Sequence, residues 1–157
     1  MAVIGAHHTC FSVASMERSL AFYRDLLGLI VISERPAVTS AYFRAVIAYP
    51  EAVVYAVLLQ IPGTSHLLEL LEYKQPRGVA RDVTRQNPGA AHVCFIVDDV
   101  QAMFDRLTAA GVEAVSRPVF LDEGPNRGAW SCYLKDPDGQ IVELFQRPAE
   151  SPALSAG

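Results

Sequence analysis

The chain has 157 residues, 51% of them hydrophobic and 19% charged, a composition that suits one folded domain and excludes a disordered protein. Its 13 basic and 17 acidic residues leave a net charge of −4 with no concentrated basic patch, so no nucleic-acid partner is expected. No apolar run reaches the roughly 18 residues of a membrane span, Met1–Ala6 lacks the flanks of a signal peptide, and the sparse, odd set Cys10, Cys94 and Cys132 points to a reducing cytoplasm.

In chain order, the first element is a strand over His8-Thr-Cys-Phe-Ser-Val13. A helix follows, carried by Met16, Leu20, Tyr23 and Leu27 at three-and-four spacing, with Ser15 as N-cap and Gly28 as stop. Strands are expected over Ile30–Ser33 and Val53–Gln60, with a long loop or excursion over Ala37–Ala52 between them. The turn signal Pro62-Gly63 then precedes a strand over Leu67-Leu-Glu-Leu-Leu71. Pro76, Gly78, Pro88 and Gly89 mark a connector, after which the order starts again. His92-Val-Cys-Phe-Ile-Val97 repeats the first strand at an offset of 84, so that His8 matches His92, Cys10 matches Cys94 and Phe11 matches Phe95. Asp99 caps a second helix carried by Val100, Met103, Phe104, Leu107 and Ala110 and stopped by Gly111. Strands over Ala114–Ser116 and Trp130–Leu134 follow, then the turn Asp136-Pro-Asp-Gly139 and a last strand, Ile141-Val-Glu-Leu-Phe145.

The expected fold is therefore α+β, strand-helix-strand-strand-strand twice over. Two tandem βαβββ modules, residues 1–75 and 90–148, are joined by a connector at 76–89 and end in a flexible tail at 149–157. Two sheets with one helix-covered face each bury their other faces best against one another, as an incompletely closed, roughly eight-stranded barrel-like cup with one helix per module outside.

Strand parity then sorts the polar residues. His8 and Cys10 share one face while Phe11 and Val13 take the other, and His92 and Cys94 are separated from Phe95 and Val97 in the same way. Glu69 shares a face with Leu67, Leu71 and Tyr73, and Glu143 with Ile141 and Phe145. A carboxylate among aliphatics must be protonated, paired or metal-bound. A lone histidine at a strand start is ordinarily an exposed one, and a lone glutamate in a leucine-rich strand ordinarily faces solvent. The recurrence of both in each half selects instead a divalent metal site of His8, Glu69, His92 and Glu143, whose two imidazoles and two carboxylates suit Zn, Ni, Co, Mn or Fe. His7 has no counterpart, because residue 91 is alanine, and His66 and Glu72 have the wrong parity relative to Glu69.

The stretches His8–Val13, Ser19-Leu-Ala-Phe-Tyr-Arg-Asp-Leu-Leu-Gly-Leu29, His92–Asp99 and Lys135-Asp-Pro-Asp-Gly-Gln-Ile-Val-Glu-Leu144 resemble the vicinal oxygen chelate superfamily. That superfamily includes glyoxalase I, methylmalonyl-CoA epimerase, extradiol dioxygenases and the bleomycin- and fosfomycin-resistance proteins. The resemblance implies paired βαβββ modules forming a cup around one metal, with ligands on the first and last strand of each, which fall here on His8, Glu69, His92 and Glu143. The His/Glu/His/Glu set looks most like glyoxalase I and implies a metal-dependent lyase or isomerase that stabilises an enediolate on a small carbonyl or thioester-type substrate. By the same resemblance one metal-bound glutamate loosens to act as base, with Glu143 first and Glu69 second. The alternatives are an Fe/Mn extradiol-type dioxygenase on a catechol-like ring and a resistance-type protein that binds a drug or metabolite. Two protein carboxylates on an octahedral ion leave two positions, one too few for O₂ beside a bidentate catecholate. Tyr42 and Arg44 in the excursion, and Asn126, Arg127 and Trp130 before a strand, are candidate substrate contacts, an arginine being suited to a carboxylate or phosphate. Pairing of modules across a two-fold axis, as in the superfamily, implies a homodimer.

Overall fold

The computed structural model describes residues 2–80, 82, 83 and 86–149, so all of the expected tail except Ala149 lies outside the described residues. The chain divides after Ala80 into two compact units. The first contains β1 (His8–Ser12), α1 (Met16–Leu20), β2 (Ile30–Val38), α2 (Ala41–Ile47), β3 (Val53–Gln60) and β4 (Leu67–Gln75). The second contains β5 (His92–Ile96), α3 (Val100–Ala109), β6 (Val119–Phe120), β7 (Trp130–Lys135) and β8 (Ile141–Gln146). Each has a four-stranded sheet of the same connectivity, β1-β4-β3-β2 and β5-β8-β7-β6, as the internal repeat predicts. In both, the first and last strands run parallel and the remaining neighbours antiparallel. The fold is α+β. Among the described residues no helix is long and apolar enough to cross a membrane.

One face of each sheet packs beneath the helix that follows its first strand. In the first unit Leu68, Leu70, Val57 and Leu59 are fully buried on the side that receives Met16, Leu20, Phe22 and Tyr23. In the second, Leu144, Val142, Leu134 and Cys132 take that place beneath Val100 and Leu107. Full burial of each such aliphatic side chain is worth about 1.5–3 kcal/mol. The helix starts follow the expected caps. Ser15 Oγ accepts from the Arg18 N–H at 3.4 Å and Asp99 Oδ1 from the Ala102 N–H at 2.9 Å. A second acceptor also recurs, since Glu72 Oε2 takes the Met16 N–H at 3.0 Å and Gln146 Oε1 the Val100 N–H at 2.9 Å. Each therefore satisfies one of the four N–H groups left open at a helix start. Glu72 is thus a helix-capping group on the core side, which explains its parity. Burial raises its pKa, but the Lys74 ammonium, 2.6 Å away, and the Met16 N–H outweigh that and hold the carboxyl below its ordinary value. After α1 the chain continues as a π-helical segment over Ala21–Leu26, in which the Leu27 N–H reaches the Phe22 carbonyl at 2.9 Å. Gly28 and Gly111, at φ 79° and 88°, turn the chain out of the two helices in the left-handed region open to glycine.

Three expectations are corrected. The excursion at Ala37–Ala52 is not a loop, because it holds α2, and the first module therefore has two helices where one was expected. Phe43 and Ile47, four residues apart, pack onto a cluster of Val38, Ala52, Val54, Ala56 and Leu71, and that burial fixes the helix. β2 runs on to Val38 rather than ending at Ser33, with irregularities at Val31/Ser33 and Arg35/Val38. In the second unit, Ala114–Ser116 forms only an isolated bridge, Ala114 to Leu134, and the edge strand is Val119–Phe120. Ser116 Oγ takes the Tyr133 N–H in place of a backbone carbonyl, and Pro118 has no N–H to continue the ladder.

Candidate metal centre

The register brings one histidine and one glutamate together on the face of each sheet opposite the one that carries Leu70 or Leu144. Cys10 stands opposite Glu69 across β1 and β4, and Cys94 opposite Glu143 across β5 and β8. His8 and His92 lie two residues earlier on the same faces. His8 Nε2 is 3.5 Å from Glu69 Oε2, and His92 Nε2 is 3.1 Å from Glu143 Oε2. The glutamate side chains are each 16% exposed, the histidines 38% and 45%. The pairs are therefore reachable from solvent through the imidazoles while the carboxylates sit deeper. Among the described residues no three or more His, Cys, Asp or Glu side chains form a group able to hold an ion, and the structure shows one His/Glu pair in each unit.

The donor chemistry of these pairs fits a divalent ion. Neutral imidazole and carboxylate are standard ligands of first-row metals. The His8 ring also has an outer partner, its Nδ1 lying 2.7 Å from His7 Nδ1. A partner at Nδ1 is the kind of outer contact that orients a metal-ligating histidine. His7, set aside for lack of a repeat counterpart, is thus the second histidine of this corner. In the second unit the face of Tyr133 takes the comparable place, its ring 5.4 Å from that of His92. His66 bonds Thr9 Oγ1 at 2.9 Å, on the far face from His8, as its parity requires.

Three further groups touch the glutamates. Burial first, then the charge of Glu69 and a hydrogen bond to it, pushes the Cys10 thiol up to about 12. The same causes, with Glu143, push Cys94 to about 12. Both thiols are thereby placed as weak donors to the carboxylates. Ser131 Oγ donates to Glu143 Oε1 at 2.6 Å. That contact joins β7 to β8 diagonally, and only the strand register reveals it.

The five candidate substrate contacts fall in different places. Tyr42, 63% exposed on α2, accepts a hydrogen bond from Arg35 Nη1 at 3.2 Å. Arg35 stands beside Ala56 in the register and so shares the face of Glu69. Arg44 Nε donates to the Ala52 carbonyl at 2.9 Å, tying α2 to the approach to β3. Asn126 and Arg127 occupy an exposed turn closed by Arg127 N–H to Gly124 O and Ala129 N–H to Asn126 O. Trp130 pairs with Gln146, which puts it on the helix side of the sheet, away from Glu143, with its ring 5.3 Å from that of Phe120.

Residues 5–144 match the family described as the Glyoxalase/Bleomycin resistance protein/Dioxygenase superfamily. A lactoylglutathione lyase of Pseudomonas putida is 31% identical over 155 residues, covering 89% of this chain and 83% of its own. A 2-epi-5-epi-valiolone epimerase of Actinomyces sp is 27% identical over 157 residues, covering 95% and 82%. The fold is that of a glyoxalase family protein from Bacillus cereus, with a TM-score of 0.82 at 21% identity over 95% of this chain and 97% of the other.

Proposed function

Because the chain belongs to the Glyoxalase/Bleomycin resistance protein/Dioxygenase superfamily, we propose that it is a divalent-metal-dependent lyase or isomerase of the glyoxalase type, acting on a small carbonyl or thioester-type substrate. The observation that carries this reading is the duplicated pair, His8 with Glu69 and His92 with Glu143, at equivalent register positions of two sheets. In this reading the four side chains are the protein ligands of one ion of the Zn, Ni, Co, Mn or Fe group. The chemistry such an ion supplies when bound is Lewis acidity toward a carbonyl, which weakens the neighbouring C–H. One of the two carboxylates takes that proton and returns it to the adjacent carbon. The electron pair stays within the substrate throughout, so the reaction needs no oxidant or reductant. The lyase of Pseudomonas putida and the epimerase of Actinomyces sp support a reaction of this kind. We propose further that the protein works as a homodimer in the cytoplasm, where three free cysteines persist. Light scattering at micromolar concentration checks the dimer, and a monomer mass removes it.

The test of the reaction is turnover of the hemithioacetal of methylglyoxal and glutathione by chelator-stripped protein reloaded with Zn²⁺, Ni²⁺ or Co²⁺ under anaerobic conditions. Turnover restored by at least one of these ions without oxygen is the expected result. Oxygen uptake stoichiometric with a catechol, supported by Fe²⁺ or Mn²⁺ alone, transfers the assignment to a ring-cleaving dioxygenase.

A further inference from the structure

The repeat fails at two places beside the second histidine. In the first unit the ring of His7 stands edge-on against that of His8, with centroids 5.1 Å apart. At the offset of 84 the counterpart of His7 is Ala91, whose side chain ends at Cβ. The other difference lies on the neighbouring strand. Leu58 stands opposite Glu69 across β3 and β4, whereas Tyr133 stands opposite Glu143 across β7 and β8. Where the extra histidine is missing, a cavity of about 240 Å³ opens, lined by Ala90, Ala91, His92, Tyr133 and Ile141. The last three all lie on the Glu143 face by register, so the cavity adjoins the His92–Glu143 pair.

Its walls are held from behind. The Tyr133 carbonyl accepts from the Val115 and Ser116 N–H groups at 2.8 and 3.1 Å, and the Tyr133 N–H donates to Ser116 Oγ at 3.0 Å. Gln140 Nε2 donates to the Ala91 carbonyl, and Ile141 is buried. The rings of His92 and Tyr133 are 5.4 Å apart and splayed by 38°. Two rings and three aliphatic side chains thus bound the space, and none of the five residues is Lys, Arg, Asp or Glu. A carboxylate or phosphate entering it would leave water without a counter-charge, which is costly. An apolar cavity of about 150 Å³ accommodates benzene, so this one has room for a six-membered ring and a short substituent. Aromatic rings gain from offset or edge contacts with other rings beyond the area they bury.

We infer that this cavity receives an uncharged aromatic ring, and that the substrate is an aryl carbonyl compound whose ring sits between Ala91 and Tyr133. The cavity stands on the second unit alone, while its assignment to the substrate rests on the lyase or isomerase reading above. Ala91 and Tyr133 are then specificity-determining residues, and each can be tested by making the second unit copy the first.

The experiment measures binding of para-fluoroacetophenone to the full chain by fluorine NMR, which needs no turnover. The variants are Ala91→Leu, Ala91→His, Tyr133→Leu and Tyr133→Phe, each first shown by circular dichroism to melt cooperatively. Ala45→Leu serves as a control in the separate hollow that Ala41, Ala45 and Ala48 line along α2. Filling the cavity with Ala91→Leu or Ala91→His is expected to weaken binding by about tenfold or more. Tyr133→Leu should weaken it by about 2- to 10-fold, and Tyr133→Phe, which keeps the ring, should bind like the parent chain. Cyclohexyl methyl ketone, of similar size without the aromatic face, should bind the parent several-fold less tightly and Tyr133→Leu no less tightly than the aryl ketone does. A second measurement takes kcat/KM for the hemithioacetals of phenylglyoxal and methylglyoxal, both formed in excess glutathione. Ala91→Leu is expected to lower the ratio of phenyl to methyl by about tenfold. Parent-like binding by both Ala91 variants overturns the inference, as does weakening by Ala45→Leu in their place or equal binding of the two ketones by the parent. A parent chain that turns over neither hemithioacetal removes the reaction proposed above, while the fluorine measurement still decides the cavity.

Discussion

The two units share a frame and differ above it. In both, the register sets a His/Glu pair on one face, a capped helix covers the other face, and a Glu72- or Gln146-type acceptor meets the first helical N–H. The first unit then covers part of its Glu69 face with α2, so that Ala56 and Leu71 are buried. Among the described residues the second has no such helix, and the equivalent Ser131 and Phe145 remain half-buried. The repeat preserves what aims the histidine and the glutamate, and it lets the surroundings of each carboxylate diverge. Two chemically identical side chains thus acquire different neighbours, which is a route to different roles.

The sharpest way to break this comparison is to neutralise each carboxylate in turn. Either Glu→Gln change is expected to lower turnover, and the one that removes the base should do so by roughly 10²–10⁴-fold. Steady-state rates with the methylglyoxal–glutathione hemithioacetal at saturating Ni²⁺ measure it. Equal losses for Glu69→Gln and Glu143→Gln would mean that the differing surroundings have no consequence.

The pairs themselves were legible in the sequence because a strand's period of two is rigid. Once His8, Cys10 and Glu69 were placed on strands, their faces followed. The helix caps Ser15 and Asp99 were equally legible, since they are local signals. What escaped depends on neighbours distant in sequence. Ser131 could be linked to Glu143 only through the diagonal between β7 and β8. Trp130 looked like a pocket residue until its pairing with Gln146 placed it on the helix side. His7 was set aside because Ala91 breaks the repeat, yet it meets His8 through local geometry alone. α2 had a usable signal, Phe43 and Ile47 four apart after Ser40, hidden by the expectation that an insertion in a repeat is a loop.

A smaller effect tests whether the two frames are equal. Leu70 and Leu144 hold the same place on β4 and β8 and are both fully buried. Leu70→Ala and Leu144→Ala should each cost about 2–5 kcal/mol by urea denaturation. If α2 stiffens the first sheet, Leu70→Ala collapses less well around its cavity and falls at the upper end of that range. A clearly larger loss for Leu144→Ala would count against such stiffening. The caps come next. Ser15 accepts at 3.4 Å and Asp99 at 2.9 Å, so Asp99→Ala is expected to cost about 1 kcal/mol and Ser15→Ala about half that. The reverse order in thermal melts would show that the shorter cap bond of the second unit carries no advantage.

The smallest effect concerns that glutamate, where one substitution makes the first unit copy the second. Glu72→Gln keeps an acceptor for the Met16 N–H, as Gln146 provides for Val100, and loses only the ion pair with Lys74. The Lys74 side chain is 41% exposed, so the pair is screened and the expected loss at neutral pH is below about 1 kcal/mol. The pH dependence follows from the direction of the shift. Because the folded-state pKa of Glu72 lies below its ordinary 4.5, its charge contributes stability that is fully present above that value and is lost as pH falls through the folded-state pKa. The difference in melting temperature between the parent chain and Glu72→Gln should therefore be steady near neutral pH and shrink on acidification below 4.5. It should shrink also in molar salt, where the Debye length falls to about 3 Å. Melting temperatures that already match at neutral pH would locate the role of Glu72 in the hydrogen bond to Met16 rather than in its charge. The two units would then be capped by the same neutral interaction, and the ion pair with Lys74 would be an ornament of the first.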